Sequence, residues 1–238
     1  MADDIAAQRV LAAQLLTPTP RDALAWYFAL EHDPRRTRLY VRSDDSGRPI
    51  AFVAICQTGL DLFRPLVVMR GDDSATLQQM LRDALAPNRQ YLFNAQPSAR
   101  PTLEAVCQLH GETVNDIYAL NRNDFKPIVN ILVQTSKTPD GLLRAVIRAR
   151  DGSNVAEAGT TWISSQYAEI FVRVVEGARG RGLGKSVVSA ISAQVLEMGR
   201  TPLYVVGQAN VASVRLAERL GYHNTGAREL SGAMSRKA

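Results

Sequence analysis

Residues able to do chemistry concentrate in one stretch, Val172-Arg-Val-Val-Glu-Gly-Ala-Arg-Gly-Arg-Gly-Leu-Gly-Lys-Ser186. The apolar run from Ile170 to Val175 predicts a strand, and the pattern from Lys185 to about Met198 predicts a helix. Between them lies a glycine-rich turn, Arg179-Gly180-Arg181-Gly182-Leu183-Gly184. A strand that feeds such a turn and opens a helix is suited to an anion. The first N–H groups of a helix lack partners, its dipole favours negative charge there, and glycines let the backbone approach a phosphate. Arg179, Arg181 and Lys185 add positive charge, and Ser186 follows. Two common phosphate loops fail on spacing. Gly184-Lys185-Ser186 ends like a Walker loop, but Arg179 stands where its first glycine belongs. Gly180 and Gly182 fit a dinucleotide fingerprint, but its third glycine is Lys185.

A third pattern fits. Arg179-x-x-Gly182-x-Gly184 resembles the Arg/Gln-x-x-Gly-x-Gly/Ala signature of the GNAT acyltransferase superfamily. Downstream, Asn210-Val-Ala-Ser213-Val-Arg-Leu216-Ala-Glu-Arg-Leu220-Gly221-Tyr222 resembles that family's second signature. The two blocks stand in the family's order and separation, and the resemblance covers roughly residues 128–230. It implies an acyl-CoA ligand, acetyl-CoA first, with its pyrophosphate on the N–H groups of Gly180 to Ser186, Leu183 and Gly184 among them. The strand backbone around Val172 and Val174 would pair with the pantetheine amides. Asn210 and Ser213 would face the pantetheine arm. Asn210 also reads as a helix N-cap, and Ser213 as a buried helix contact.

Acyl transfer from a thioester to an amine requires a held donor, a base for the amine proton, a stabilised oxyanion and a leaving thiolate. Some members of the family carry a glutamate on the strand that opens to admit the donor, and Glu169 is the candidate here. Burial there would raise its pKa toward a useful range, whereas at an open strand end it would be a solvated carboxylate. Many members place a Tyr in the second signature as acid for the thiolate, and here that place is Ala217. A thiol with an ordinary pKa of about 8.5 leaves tolerably without a dedicated acid. Tyr204 and Tyr222 could substitute, although core packing is the first reading of each. His32, His110 and His223 show no metal spacing and no nucleophile partner, so no metal is expected.

The elements that must position these residues recur along the chain. Helices are predicted over 5–16, 21–31, 75–85 and 100–109, the last closed by Gly111, with strands near 38–43, 50–58, 63–69, 91–94 and 113–121. The second half predicts strands near 128–134, 142–149, 155–164 and 168–175, a helix, a strand near 203–206, a helix over 210–220 and a last short strand. The reading is an α/β (α+β) chain of two GNAT-like mixed-sheet halves, 1–126 and 127–238, the first degenerate. The corresponding turn of the first half, Met69-Arg-Gly-Asp-Asp-Ser74, has one glycine and two carboxylates, which repel a pyrophosphate. The second half lacks two early helices, so the first half, or self-association into a homodimer, would cover its acceptor site.

Bulk properties narrow the classes. A chain of 238 residues, 46% apolar and 21% charged, is ordinary for a globular protein and contains no run long enough to span a membrane. Residues 1–126 hold 14 Lys/Arg against 15 Asp/Glu, and residues 127–238 hold 14 against 8, so the positive excess lies in the second half. A polyanionic ligand accounts for it, and no aromatic stacking series points to nucleic acid. The acidic start and the two cysteines in apolar contexts, Cys56 and Cys107, fit a cytoplasmic protein with reduced core thiols. The expected activity is N-acetyl transfer to a small-molecule or peptide amine in a ternary complex. Ala217 supports the alternative of a catalytically silent acyl-CoA-binding protein.

Overall fold

The computed structural model describes residues 5–59 and 61–237. The acidic start Met1-Ala-Asp-Asp4, one ground of the cytoplasmic reading, lies outside them. The architecture is mixed α+β, and the chain divides into two compact units, Met1–Asn115 with Arg228–Ala238, and Asp116–Ala227.

In the first unit, α1 (Ile5–Ala13) and a short α2 (Ala23–Trp26), which continues as a π-helical turn over Tyr27–Glu31, precede the sheet. Strands β1 (Thr37–Ser43), β2 (Pro49–Cys56) and β3 (Leu66–Gly71) pair antiparallel in turn. Helix α3 (Ser74–Ala84) then crosses to β4 (Gln90–Ala95), which lies parallel to β3. Helix α4 (Arg100–Val106) leads into β5 (Cys107–Leu120). The far side of β4 is covered by Leu230–Ser235 of β11 (Tyr222–Arg236), antiparallel. Leu230 and Met234 thereby join a core of Val53, Val67, Leu81, Phe93 and Leu103.

The second unit takes over within β5. Its strands are β6 (Gln134–Lys137), β7 (Leu143–Arg148), β8 (Asn154–Ile163) and β9 (Tyr167–Val174), paired antiparallel in succession. Helix α5 (Leu183–Glu197) crosses to β10 (Thr201–Val206), parallel to β9 and antiparallel to Asp116–Ala119 of β5. Helix α6 (Val211–Arg219) then leads into β11. Alternation along the strands points Ala156, Ala158, Ala168 and Ile170 at Val187, Val188 and Ile191 of α5, and these form the core. Among the described residues, α5 and α6 are the helices of this unit beyond single turns.

Several expectations need correction. Residues 128–133 are not a strand; side chains anchor them instead, with the Ser189 hydroxyl accepting from Ile128 N at 2.8 Å and Asn130 donating to the Ser186 hydroxyl at 3.1 Å. The helix expected over 100–109 stops at Val106, and Gly111 lies inside β5 rather than at a helix end. The last strand is not short: β11 has 15 residues. Cys56 and Cys107 are free and buried, and burial pushes their thiols up to about 12 and about 11. No helix among the described residues is long and apolar enough to cross a membrane.

Candidate functional site

The second unit opens where β9 and β10 part. Their register runs from Tyr167↔Thr201 to Ile170↔Tyr204 and stops. Beyond that point β9 continues against β8 through Val174, while Val205 and Val206 stay with β5. The β10-facing edge of Phe171 to Val174, which includes Val172 and Val174, is left without a strand partner. A gap edged by a free strand backbone can accept an extended amide-bearing ligand by strand-like pairing.

The glycine turn stands at the end of that edge. After a single 3-10 turn, Glu176–Ala178, Arg179 is extended and its Nε reaches Val174 O at 3.4 Å. Gly180 and Gly182 have φ of +75° and +77°, which side-chain-bearing residues rarely adopt, and a Cβ on either would meet nothing within 4 Å. The turn is thus open on the side a ligand would use. Gly182 is the N-cap residue of α5 and supplies no side-chain cap, so the N–H groups of Leu183, Gly184 and Lys185 point outward uncapped. Gly184 is glycine for a different reason: a Cβ there would lie 3.0 Å from Val174 Cγ2 and 3.2 Å from Leu216 Cδ1. That contact seats α5 tightly on β9 and α6. Arg179 and Arg181 are exposed and Lys185 is half-buried. Ser186 is buried and accepts from Asn130, so its hydroxyl is committed to the fold.

On the other flank, Asn210 Oδ1 caps α6 by accepting from Ser213 N at 3.2 Å. The Ser213 hydroxyl lies 2.7 Å from the Tyr204 hydroxyl. Tyr204 packs edge-to-face on Tyr222, whose own hydroxyl lies 2.7 Å from Ser192 in the core. Ala217 is fully buried, with no path to a ligand.

Glu169 sits one residue before the end of the β9–β10 register. It occupies the sheet face opposite α5, because its neighbours Ala168 and Ile170 point into the α5 core. β8 carries one extra residue, Thr161, between Thr160 and Trp162, and this bulge turns Thr161 and Trp162 toward the carboxylate. The Thr161 hydroxyl donates to Glu169 Oε2 at 2.8 Å. The residue keeps some solvent contact, but its carboxyl group is enclosed. Burial raises its pKa, against hydrogen bonds from Thr161 and Trp162 that favour the charged form. On the same face the Phe171 ring is flanked by the guanidinium carbons of Arg144 and Arg173, at 5.0 Å and 5.5 Å. Sequence reasoning missed Thr161, Arg144 and Phe171. Only the alternation of β9 could have pointed to Phe171, and nothing in the sequence marks the bulge.

The first unit has a cleft of about 470 Å3, bordered by Arg70, Gly71 and Asp72 at the end of β3 and by Gln96 and Thr102 near α4. Several of its polar groups bond to one another. Arg70 Nε donates to Asp22 at 2.8 Å, Arg21 donates to Gln96 at 2.8 Å, and the Ser74 and Thr102 hydroxyls are bonded.

A family model described as FR47-like protein matches residues 149–230, from the end of β7 into β11. A GCN5-related N-acetyltransferase-like protein from Streptococcus suis superposes with a TM-score of 0.61 at 19% identity, covering 98% of this chain and 100% of that one. A GCN5-related N-acetyltransferase from Kribbella flavida gives 0.60 at 18% identity, with 98% and 96% covered. The chain has the GNAT fold. A tandem GNAT protein from the clavulanic acid biosynthesis pathway also superposes, at 0.58 and 13% identity over 97% of this chain and 93% of that one. Among curated proteins, none matches the GNAT-fold chain described here.

Proposed function

We propose that this protein is an acyl-CoA-dependent N-acyltransferase, using acetyl-CoA to acetylate a small-molecule or peptide amine in the cytoplasm by direct attack in a ternary complex. The observation that carries the reading is the uncapped N-terminus of α5, set behind two left-handed glycines at the end of an unpaired strand edge. The N–H groups of Gly180 to Lys185, with Arg179 and Arg181, would hold the pyrophosphate. The free edge of Val172 to Val174 would pair with the pantetheine amides, and Asn210 Nδ2 would reach the arm while Oδ1 caps α6.

Glu169 would take the proton of the attacking amine. An enclosed carboxyl with a raised pKa is poised for that role, and the Thr161 hydrogen bond fixes its orientation. The first half would be a degenerate GNAT-like lobe, its turn carrying Asp72 and Asp73 where the second half carries glycine. The tandem architecture printed for one structural relative supports that division. A homodimer is the alternative source of acceptor-site surface.

A silent acyl-CoA-binding protein is the second reading, favoured by the buried Ala217. Calorimetric titration with acetyl-CoA tests the binding site. Micromolar affinity, lost in an Arg179→Ala/Gly182→Glu double variant, is expected. No binding by the intact protein would sink the assignment. Release of CoA thiol in the presence of amines separates enzyme from silent binder.

A further inference from the structure

Any thioester held in the gap between β9 and β10 has two distinct sides. Glu169 and its enclosing residues occupy the sheet face away from α5. Tyr204, the last β10 residue paired with β9, points to the opposite face, where its hydroxyl meets Ser213 in the first turn of α6. An amine deprotonated by Glu169 attacks from one face, so the sulfur can depart toward the other. Developing charge on that sulfur needs a hydrogen-bond donor, and Ala217 provides none.

Resting on the acyltransferase reading, we infer that the Ser213 hydroxyl, with the Tyr204 hydroxyl donating to it, is the donor that stabilises the departing thiolate. The order of the pair follows from exposure. Tyr204 is 3% exposed whereas Ser213 is half-buried, so a ligand meets Ser213 first. The two hydroxyls lie 2.7 Å apart, and burial keeps the phenol protonated, so Tyr204 can donate to Ser213 Oγ, the orientation this inference takes. The Ser213 O–H is then directed outward, and the chain of two donors polarises it. The nitrogen–carbonyl bond forms and the carbon–sulfur bond breaks. The amine proton goes to Glu169 and then to solvent. CoA leaves as a thiolate that takes its proton from water. Ser213 and Tyr204 keep their protons throughout, so Ser213 acts electrophilically and Tyr204 is a positioning residue.

The experiment uses the full chain with acetyl-CoA as donor and hydroxylamine as acceptor, reading release of CoA thiol, alongside the calorimetric Kd for acetyl-CoA. Ser213→Ala is expected to lower kcat roughly ten- to a hundredfold with Kd within about twofold. Ser213→Thr, which keeps a hydroxyl, restores most of the rate. Tyr204→Phe lowers kcat in the same direction with Kd retained. The inference is overturned if kcat survives Ser213→Ala, if Thr fails to rescue, or if Kd rises in step with the fall in kcat. Wild-type protein that binds acetyl-CoA but releases no thiol also overturns it while leaving the cofactor site standing. Wild-type protein that does not bind overturns both.

Discussion

The passage from β3 into α3 and the passage from β9 into α5 share a plan. Each strand pairs antiparallel with its predecessor, turns into a helix, and lies parallel to the strand that follows. Each parallel register also ends early, at Val68↔Asn94 in the first unit and Ile170↔Tyr204 in the second. The turns differ in what they offer an anion. At α3 the cap is Asp73, whose carboxylate accepts from Thr76 N at 2.8 Å, with Asp72 beside it. At α5 the cap position is a left-handed glycine among Arg179, Arg181 and Lys185. One helix end is neutralised by its own side chain, and the other is left open. The gap after β3 is likewise bordered by the buried Arg70–Asp22 pair, while the gap after β9 is edged by bare backbone. A fold can therefore repeat a strand–turn–helix passage without repeating the charge at its helix end.

The largest way to break this contrast is at the buried pair. The Arg70 and Asp22 side chains are 7% and 6% exposed, so Asp22→Ala strands a buried guanidinium and should cost about 3–5 kcal/mol in denaturant unfolding. Burial alone would raise the Asp22 pKa, but Arg70 and Thr17 outweigh it and hold it below the ordinary carboxylate value. Its contribution is therefore present above that ordinary value and fades as pH falls through the lowered one. Stability of Asp22→Ala and wild type should converge in acid.

The next effect is on binding. Gly182→Asp transplants the α3 style of cap onto α5, and acetyl-CoA affinity should fall roughly 100-fold through like charge and a strained φ. A Kd within about threefold of wild type would show that the open helix end is not the anion site. Glu169→Gln should lower kcat roughly 100-fold without changing Kd. Its raised pKa adds a stability signature of opposite sign to that of Asp22. A carboxyl with a raised folded pKa favours folding when protonated and loses that advantage as pH rises through the raised value. Glu169→Gln should thus be more stable than wild type at pH 7 and equal to it below about pH 4. Least of all, Asp73→Ala removes the α3 cap and should lower Tm by about 2–4 °C, leaving acetyl-CoA binding untouched.

Local signals were legible in the sequence where one element alone decides them. The glycine turn, the strand before it and α5 follow from spacing, and Gly184 is explained by what a Cβ would strike. Glu169 could be named as a candidate, but its enclosure depends on a bulge in β8, which only cross-strand register reveals. The apolar residues 128–133 read as a strand because their β-branched side chains suit one. In the folded chain they have no ladder partner, and two serine hydroxyls of α5 take the polar groups instead. The polar, non-alternating residues of β11 gave no reason to expect a long strand, since it earns its pairing from partners far away in sequence. The Tyr204–Ser213 contact was equally hidden, because a phenol in an apolar strand looks like packing until its neighbour is known.

The course of β11 has a consequence during synthesis. Residues up to 115 are made before the second unit, yet the strand that closes the outer side of β4 and brings Leu230 and Met234 into the first unit's core is made after it. Until then β4 presents an unpaired edge and an incomplete apolar floor, the two features that invite mispairing with other nascent chains. The second unit's α5 and its central strands have all left the tunnel by that stage. The unit that comes first in the chain therefore cannot complete its core until residues beyond the second unit have been made.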